Sequence, residues 1–311
     1  MQMPDPLLGL QEQLEREATG LEKPLASPWT RLNHALGGGF RPGTFSLLVG
    51  EPGSAKTYIA LAICLFAHNQ KWGWKYWPFE RDDAYAARRM LAVLLNRWSV
   101  LEPEESPKNR TIMDDTGIFN QMARVTQYIE ANPRQLRKDA DDNYYIPSCT
   151  YRSVFDQLWN VCKDTALVVL DPLSMLYFDG DGRDEWKGQE NFAKDASAMV
   201  AQTGSRLLAV HHTRKSMPGM KSRLSSLDEV AGAAALSRFA DNVIFLEHNP
   251  DGQESDVITP DGIHSLQMHR RTLYIAKARD GRGTGWRIAC DLDEQGPNLI
   301  EYGYIQKKGN K

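Results

Sequence analysis

Largely apolar runs of five or six residues recur along the chain, and segments with helical periodicity separate them. Residues 44–49, 165–170 and 206–210 are such runs, and each is followed by glycine or polar residues. Strands buried on both faces of a parallel sheet have this composition, and helices between them supply the crossovers. The pattern over residues 27–100 and 150–290 therefore predicts an α/β fold, with a mainly parallel central β-sheet flanked by helices and a C-terminal β-hairpin.

The first 26 residues form an N-terminal arm with the pattern of an amphipathic helix. Asp5 is a favourable N-cap for such a helix. Leu7, Leu10 and Leu14 then share one face, opposite a face of glutamine and glutamate. This leucine face packs either on its own domain or on a neighbouring subunit, as a docking helix, and the pattern does not decide between them.

Two further segments depart from the alternating pattern. Residues 101–147 are polar and acidic, and we expect an insertion that is helical over Ile118–Ile129. Residues 301–311 contain three lysines and predict a basic C-terminal tail. One domain then remains, over residues 27–300.

The composition is that of an ordinary folded domain with a core. The 311 residues are 41% apolar and 25% charged, with a net charge of −3, so nucleic-acid contacts would come from local basic patches. No apolar run approaches the roughly 18 residues that span a bilayer, and the N-terminus has no secretory signal pattern. We therefore expect a cytoplasmic protein with no membrane partner. Four cysteines lack metal-ligand spacing, which argues against a zinc site and predicts that most of them are buried: Cys64, Cys149, Cys162 and Cys290.

A glycine-bearing loop between a strand and a helix matches a phosphate-binding loop, or P-loop. The loop amides and the helix N-terminus would hold the β-phosphate, Lys56 would contact the β- and γ-phosphate oxygens, and Thr57 would complete a Mg²⁺ shell. The usual pattern has glycine before the lysine, whereas this chain has Ala55, which keeps the amide donor and adds a methyl group. The predicted loop comprises Gly50, Glu51, Pro52, Gly53, Ser54, Ala55, Lys56 and Thr57.

Two carboxylates stand at predicted strand ends, where the ligand crevice of a parallel sheet lies. Asp171 follows the apolar run 165–170 and is the candidate Mg²⁺-orienting carboxylate, although an aspartate can also simply end a strand. Glu80 follows the segment 75–79 and is a candidate general base for the attacking water. A glutamate there could equally cap the next helix.

The strand over residues 206–210 ends in two histidines and a basic segment. His211 and His212 stand where a side chain could sense the γ-phosphate, and a structural role is equally consistent with their position. The following loop contains glycine and proline, and its cations could grip phosphates of a single strand in a central channel. An ordinary exposed loop is the alternative. Its basic residues are Arg214, Lys215, Lys221 and Arg223.

Together these stretches resemble the RecA/DnaB superfamily of hexameric ATPases, and especially the small RepA-type replicative helicases of plasmids and phages. Each stretch alone is weakly specific, whereas the set in this order is highly specific. The resemblance covers roughly residues 28–290 and rests, besides the P-loop, on Thr30–Gly43, Phe79–Glu80, Leu170–Leu173, His211–His212, Val230–Leu236, Ala240–Val243 and Ile275–Gly281.

The resemblance implies a RecA-like P-loop ATPase domain over residues 27–300 that uses ATP and Mg²⁺. It also implies a homo-hexamer acting on single-stranded DNA or RNA in phage or plasmid replication, with a replication initiator or a primase as candidate partner. In such an enzyme Glu80 is the general base and His212 is the γ-phosphate sensor. Lys277 and Arg279 are then cations that stabilise charge on the neighbouring subunit's γ-phosphate, although both also fit a solvated hairpin face.

Three functional hypotheses follow. The first is a ring-forming, ATP-dependent helicase or translocase. The second is a recombinase-like or regulatory RecA-fold ATPase that does not unwind duplexes. The third is a nucleotide-binding adaptor with little hydrolysis, which only Ala55 supports.

Overall fold

The computed structural model describes residues 22–134, 137–138, 144–145, 147, 149–178, 185–213 and 234–306, with the single positions 7, 11, 14, 15, 18 and 227. The helices are α1 (Thr30–Ala35), α2 (Lys56–Asn69), α3 (Asp83–Leu95), α4 (Ser106–Ile112), α5 (Thr116–Thr126), α6 (Tyr151–Asp164), α7 (Glu185–Thr203) and α8 (Ala234–Phe239). The strands are β1 (Phe45–Gly50), β2 (Trp74–Pro78), β3 (Arg137–Lys138), β4 (Tyr144–Tyr145), β5 (Leu167–Asp171), β6 (Arg206–His212), β7 (Asn242–Thr259), β8 (Gly262–Ala278), β9 (Arg287–Leu292) and β10 (Leu299–Ile305).

Eight strands form one sheet in the order β10-β9-β8-β7-β1-β6-β5-β2. Strands β7, β1, β6, β5 and β2 run parallel, and β7 to β10 continue as an antiparallel meander. The far strand β10 also pairs with β7, through Tyr304 and Ile258. The predicted α/β fold is confirmed, and the C-terminal part contains four antiparallel strands rather than a hairpin alone.

Both faces of the sheet are covered, which explains why its central strands are apolar on both sides. In β1 every residue is buried. Leu48 points to the core under α2 and α3, while Leu47 and Val49 point to the core under α6 and α7. Each face therefore has its own apolar cluster, as expected for a parallel sheet between two helical layers.

The insertion lies at the β2 edge of the sheet. Its predicted helix is observed as α5, which ends at Thr126, and α4 precedes it. After α5 the chain adds a short parallel bridge between Ile129 and Tyr76 of β2. Lys75 and Glu130 form an ion pair beside this bridge, with 2.6 Å between nitrogen and oxygen. The insertion thus extends an otherwise open sheet edge.

Both predicted domain boundaries change in the structure. Leu25, assigned to the arm, is fully buried and pairs with Phe40, so residues 22–26 belong to the body of the domain. Residues 301–305, assigned to a basic tail, complete β10. The Glu301 carboxylate accepts hydrogen bonds from the Arg31 and Leu32 amides and so caps α1. Contacts distant in sequence, which composition does not reveal, place both segments in the core.

The four cysteines are buried free thiols, as predicted. Within the described ranges, three or more histidine, cysteine or acidic side chains do not gather into a metal-binding cluster. In the same part of the chain, the helices are too short or too polar to cross a bilayer.

Candidate nucleotide-binding and catalytic site

The P-loop lies between the carboxyl end of β1 and the first turn of α2. A Cβ atom at Gly50 would lie 2.6 Å from the Leu246 carbonyl oxygen and 2.9 Å from Ser54 Oγ, so a side chain does not fit there. Gly53 has φ +79° and faces open space, a backbone conformation that favours glycine. Because α2 begins at Lys56, the amides of its first turn have no acceptor within the helix and can bind an anion.

Ala55 adopts the conformation expected of the glycine that it replaces. Its φ is +85° and its ψ is 16°, in the left-handed region. A Cβ atom there crowds the following carbonyl and costs about 1–2 kcal/mol. The loop therefore keeps the backbone path of a P-loop, at a cost in backbone strain.

Lys56 is held inside the loop. Its side-chain nitrogen donates to the Glu51 carbonyl oxygen at 2.6 Å and to Ser54 Oγ at 3.3 Å. Burial lowers the pKa of Lys56 to about 8. The negative charges of Asp171, Glu80 and Glu51 favour the ammonium form and raise this pKa, but by less than burial lowers it. The lysine is therefore oriented towards the centre of the loop and lies within electrostatic range of both predicted carboxylates.

Asp171 ends β5 and contacts the P-loop helix. Its Oδ2 accepts a hydrogen bond from the Tyr76 hydroxyl at 2.7 Å, and its carboxylate also interacts with the Thr57 hydroxyl. Burial raises the pKa of Asp171, and these two hydrogen bonds, with the charges of Arg89 and Lys56, oppose the increase. Thr57 and Asp171 are oxygen donors suited to Mg²⁺, and they lie side by side as a metal on the P-loop requires.

Glu80 follows β2 and faces the same cavity as Thr57 and Asp171. It does not cap the next helix, because Asp82 does: Asp82 Oδ1 accepts from the Tyr85 amide at 2.8 Å. Glu80 is exposed, as a base that reaches substrate must be. The structure thus brings together the three side chains on which the ATPase hypothesis depends: Lys56, Glu80 and Asp171.

Arg89 and Tyr76 belong to this site, and neither was predicted from the sequence. Arg89 lines the cavity from α3, with its guanidinium 4.5 Å from the ring centre of Tyr85 and donating to the Tyr85 hydroxyl at 3.1 Å. The charge of Arg89 acts on Asp171. The available signal lies within α3, where Tyr85 and Arg89 are four residues apart and therefore share one helix face.

The two histidines at the end of β6 lie beside the P-loop. His212 pairs in register with Gly50, and the next amide, of Thr213, donates to the Gly50 carbonyl oxygen at 3.2 Å. Burial and the nearby Lys56 lower the pKa of His212, while Glu80 acts in the opposite direction. Among the described residues, His212 Nδ1 and Thr213 Oγ1 are buried without a hydrogen-bond partner. These atoms fit a polar ligand on the P-loop. His211, in contrast, is buried in the strand.

Lys277 and Arg279 lie at the end of β8, and their surroundings differ. The Lys277 ammonium donates to the carbonyl oxygens of Ser237 (3.2 Å), Arg238 (2.9 Å) and Ala240 (2.5 Å), and so caps the end of α8. Lys277 was expected to act on the neighbouring subunit's nucleotide, and its contacts with α8 of its own chain were not predicted. Arg279 is more than half exposed and pairs with Asp241 at 2.7 Å.

The predicted nucleic-acid contacts Arg214, Lys215, Lys221 and Arg223 lie outside the described residues, as do residues 230–233. The described neighbours of this segment are His212 and Thr213 at the P-loop, and α8, which Lys277 caps. Thr213, the last described residue before this segment, lies beside the candidate nucleotide site.

The fold and the site define a P-loop nucleotide-binding protein with a RecA-like core. Comparison with known families agrees: residues 11–217, well over half of the chain, match the family described as AAA domain. The chain belongs to this family. A search of curated proteins finds no match to the sequence.

Solved structures share the fold over nearly the whole chain. One of them, an ATPase domain, is 12% identical, covers 96% of this chain and 100% of its own, and has a TM-score of 0.69. A DnaB-like replicative helicase, described with its interactions with primase, is 13% identical and covers 96% and 67%, with a TM-score of 0.68. A KaiC-like protein from Pyrococcus horikoshii OT3 is 16% identical and covers 90% and 98%, with a TM-score of 0.52. The fold is thus that of a RecA/DnaB-type ATPase domain.

Proposed function

We propose that this protein is an ATP-dependent, ring-forming helicase or translocase that acts on single-stranded nucleic acid in DNA replication. The main support is the cavity that Thr57, Glu80 and Asp171 line together, next to the buried ammonium of Lys56. It provides an anion site, two oxygen donors for a metal and an exposed carboxylate, which ATP hydrolysis requires. The likeness to a DnaB-like replicative helicase supports the choice among such enzymes.

The proposed roles follow the geometry of the site. Gly50 to Thr57 bind the phosphates, with Lys56 on the β- and γ-phosphate oxygens. Thr57 and Asp171 would hold Mg²⁺, which neutralises phosphate charge when bound. Glu80 accepts a proton from the attacking water, and Arg89 adds positive charge from α3. The buried Nδ1 of His212 would register the γ-phosphate.

In a ring, residues of the next subunit complete the pocket. Arg279 suits this role because its guanidinium is exposed and is held in place by Asp241. Lys277 would contribute by fixing the end of α8 beside it, or by leaving its three carbonyl acceptors on assembly. The basic segment with Arg214, Lys215, Lys221 and Arg223 would contact the strand in the channel.

Replacing the proposed base tests the reaction. Glu80→Gln keeps the size of the side chain and removes its basicity, so ATP turnover stimulated by single-stranded DNA should fall about 10²–10⁴-fold while ATP analogues still bind. Glu104→Gln, at an exposed position of the insertion, is the matched control and should leave turnover unchanged. Equal turnover of Glu80→Gln and the parent would show that Glu80 is not the base.

The form of the oligomer distinguishes the proposed helicase from a RecA-like ATPase that does not unwind duplexes. The fold resembles a KaiC-like protein as well as helicases, so fold alone does not decide. Native mass spectrometry and particle imaging with an ATP analogue should show closed rings, and a fork substrate should be unwound with ATP. Open filaments without unwinding would support the recombinase-like alternative.

A further inference from the structure

A buried polar cluster lies at the end of the parallel strands that is opposite the P-loop. Its centre is Asp241, which directly precedes β7 and is 5% exposed. The Asp241 amide donates to the Phe45 carbonyl oxygen at 2.7 Å, and Asp241 Oδ2 accepts from the Phe45 amide at 2.9 Å. Phe45 begins β1 and Gly50 ends it, so the cluster lies roughly 16 Å from the P-loop along this strand. Side chains of the cluster are therefore too far away to contact a nucleotide on their own P-loop.

Arg279 is joined to Asp241 through both its backbone and its side chain. The Arg279 amide donates to the Asp241 carbonyl oxygen at 3.0 Å, and the guanidinium pairs with Asp241 Oδ1 at 2.7 Å. One oxygen of the carboxylate thus bonds to β1 and the other to Arg279. The Arg279 side chain is still 57% exposed, and a guanidinium has five N–H donors. It can therefore bind an anion outside the chain while Asp241 fixes its direction.

The turn that follows Arg279 is fixed against the end of α1. The Gly283 amide donates to the Ala35 carbonyl oxygen at 3.0 Å. A Cβ atom at Gly281 would lie 2.2 Å from the same oxygen, and one at Gly283 would lie 2.4 Å from Ala35 Cβ. The two backbones approach too closely for side chains to separate them. The backbone on the C-terminal side of Arg279 is therefore held in place, as β8 holds it on the N-terminal side.

Lys277, two residues before Arg279, is directed to its own chain instead. An ammonium group has three N–H donors, and that of Lys277 bonds to three carbonyl oxygens at the end of α8, at 2.5–3.2 Å. The last of these belongs to Ala240, so Lys277 holds the backbone immediately before Asp241. Contact with a neighbouring subunit's phosphate would cost Lys277 these bonds. Arg279, in contrast, can bind an anion and keep its ion pair.

We infer that Asp241 and Lys277 are positioning residues for Arg279, and that Arg279 is the member of this cluster that contacts the γ-phosphate of the neighbouring subunit. Asp241 sets the direction of the guanidinium relative to β1, and Lys277 holds the backbone that carries Asp241. The inference rests on the proposed ring, because only another subunit's nucleotide can come within reach of Arg279. It gives Lys277 a role inside its own chain, in place of the contact across the subunit boundary that the sequence resemblance implies.

A double-mutant cycle on the full-length protein tests whether both residues act through Arg279. Lys277→Met and Asp241→Asn should each lower kcat for ATP turnover, stimulated by single-stranded DNA, about 10–10²-fold. Affinity for an ATP analogue should stay within about twofold of the parent, because the P-loop of the same subunit is distant. In an Arg279→Ala background neither change should lower kcat further, because the group that they position is already absent. A further loss on adding Lys277→Met would show that the lysine acts on the phosphate directly, and would overturn its positioning role.

Asp280→Asn is the matched control. Asp280 adjoins Arg279 and is exposed, so the same loss of charge should leave kcat unchanged there. An equal loss of kcat in Asp280→Asn and Asp241→Asn would show an effect of net charge and would overturn the role of Asp241. Circular dichroism and native mass spectrometry establish that each variant is folded and assembled. Lys277→Gln and Asp241→Ser, which retain a polar group, replace any variant that does not fold, with the same expected results.

Mixed rings test whether the effect crosses the subunit boundary. Lys56→Ala removes the P-loop lysine and keeps Arg279 in place, whereas Asp241→Asn keeps the P-loop. Mixing these two variants should give more ATP turnover than their sum, as should mixing Lys56→Ala with Arg279→Ala, because an intact P-loop then meets a correctly held Arg279 of another copy.

The pattern of recovery separates the inference from the proposed function. Recovery only in the mixture that contains Arg279→Ala would place the role of Asp241 in its own subunit and overturn the inference. Recovery in neither mixture would overturn both the inference and the proposed ring. Rings that recover ATP turnover but do not unwind a fork would refute the helicase function alone.

Discussion

Replacing Ala55 by glycine should stabilise the protein, whereas most alanine-to-glycine changes in helices destabilise. Ala55 has φ +85°, where a Cβ atom costs about 1–2 kcal/mol. Two effects of glycine oppose this gain. Glycine makes the unfolded chain more flexible, which lowers the free energy of unfolding by about 0.4–1 kcal/mol. Loss of the partly buried Ala55 methyl group lowers it by roughly a further 0.4 kcal/mol. The net expectation is a gain of about 0.5 kcal/mol in the free energy of unfolding.

The matched control is Ala198→Gly, at an exposed position inside α7. Its backbone is helical, so glycine should cost about 1 kcal/mol there. The free energies of unfolding of the two variants should therefore differ by about 1.5 kcal/mol, with Ala55→Gly above the parent and Ala198→Gly below it. Denaturant unfolding without nucleotide measures this difference, provided that the slopes of the transitions agree.

The same pair tests whether Ala55 impairs nucleotide binding. Both alanine and glycine keep the amide donor, and the loop already has its binding conformation, so affinity for an ATP analogue should change by less than about threefold. A loss of stability in Ala55→Gly as large as in Ala198→Gly would refute the strain argument. A large gain in affinity would show that the methyl group itself obstructs the phosphates.

Three further results are expected. Burial lowers the pKa of Lys56 to about 8, so the nucleotide-free site loses its ammonium charge above that pH. ATP affinity should then fall about tenfold per pH unit. Constant affinity from about pH 7 to 9.5 would contradict this expectation. Tyr76→Phe removes a hydrogen bond that lowers the pKa of Asp171, so the acid limb of the ATPase pH profile should move to higher pH, which a pH–rate series would detect. Arg206→Lys should cost about 2–4 kcal/mol in denaturant unfolding, since the buried guanidinium donates to three backbone carbonyls and stacks on Trp72; a loss below about 0.5 kcal/mol would show that lysine replaces it.

The P-loop and the strand that precedes it could be predicted from the sequence because their constraints are local. Gly53 adopts φ +79°, a backbone conformation that favours glycine, and Lys56 begins the helix that follows. The ends of β2 and β5 were found by the same reasoning, since parallel strands end at one edge and bring Glu80 and Asp171 together. The order of the motifs along the chain therefore predicted most of the arrangement of the candidate site.

Features that depend on distant contacts could not be predicted in this way. Residue 301 reads as the start of a tail, yet Glu301 caps a helix some 270 positions earlier. The cap on α8 formed by Lys277 likewise joins residues about 40 apart. No local pattern indicates such pairs, because the sequence around each of these residues is equally consistent with an exposed side chain.

The sequence by itself determined the class of fold, the position of the phosphate loop and the carboxylates at the strand ends, since each depends on periodicity or on a few adjacent residues. Only the tertiary structure decided that Asp82 rather than Glu80 caps α3, that Arg89 and Tyr76 enter the site, and that the insertion extends the sheet edge. These depend on which faces of separate elements meet, and that choice is made by the packing of the whole chain rather than by any one segment.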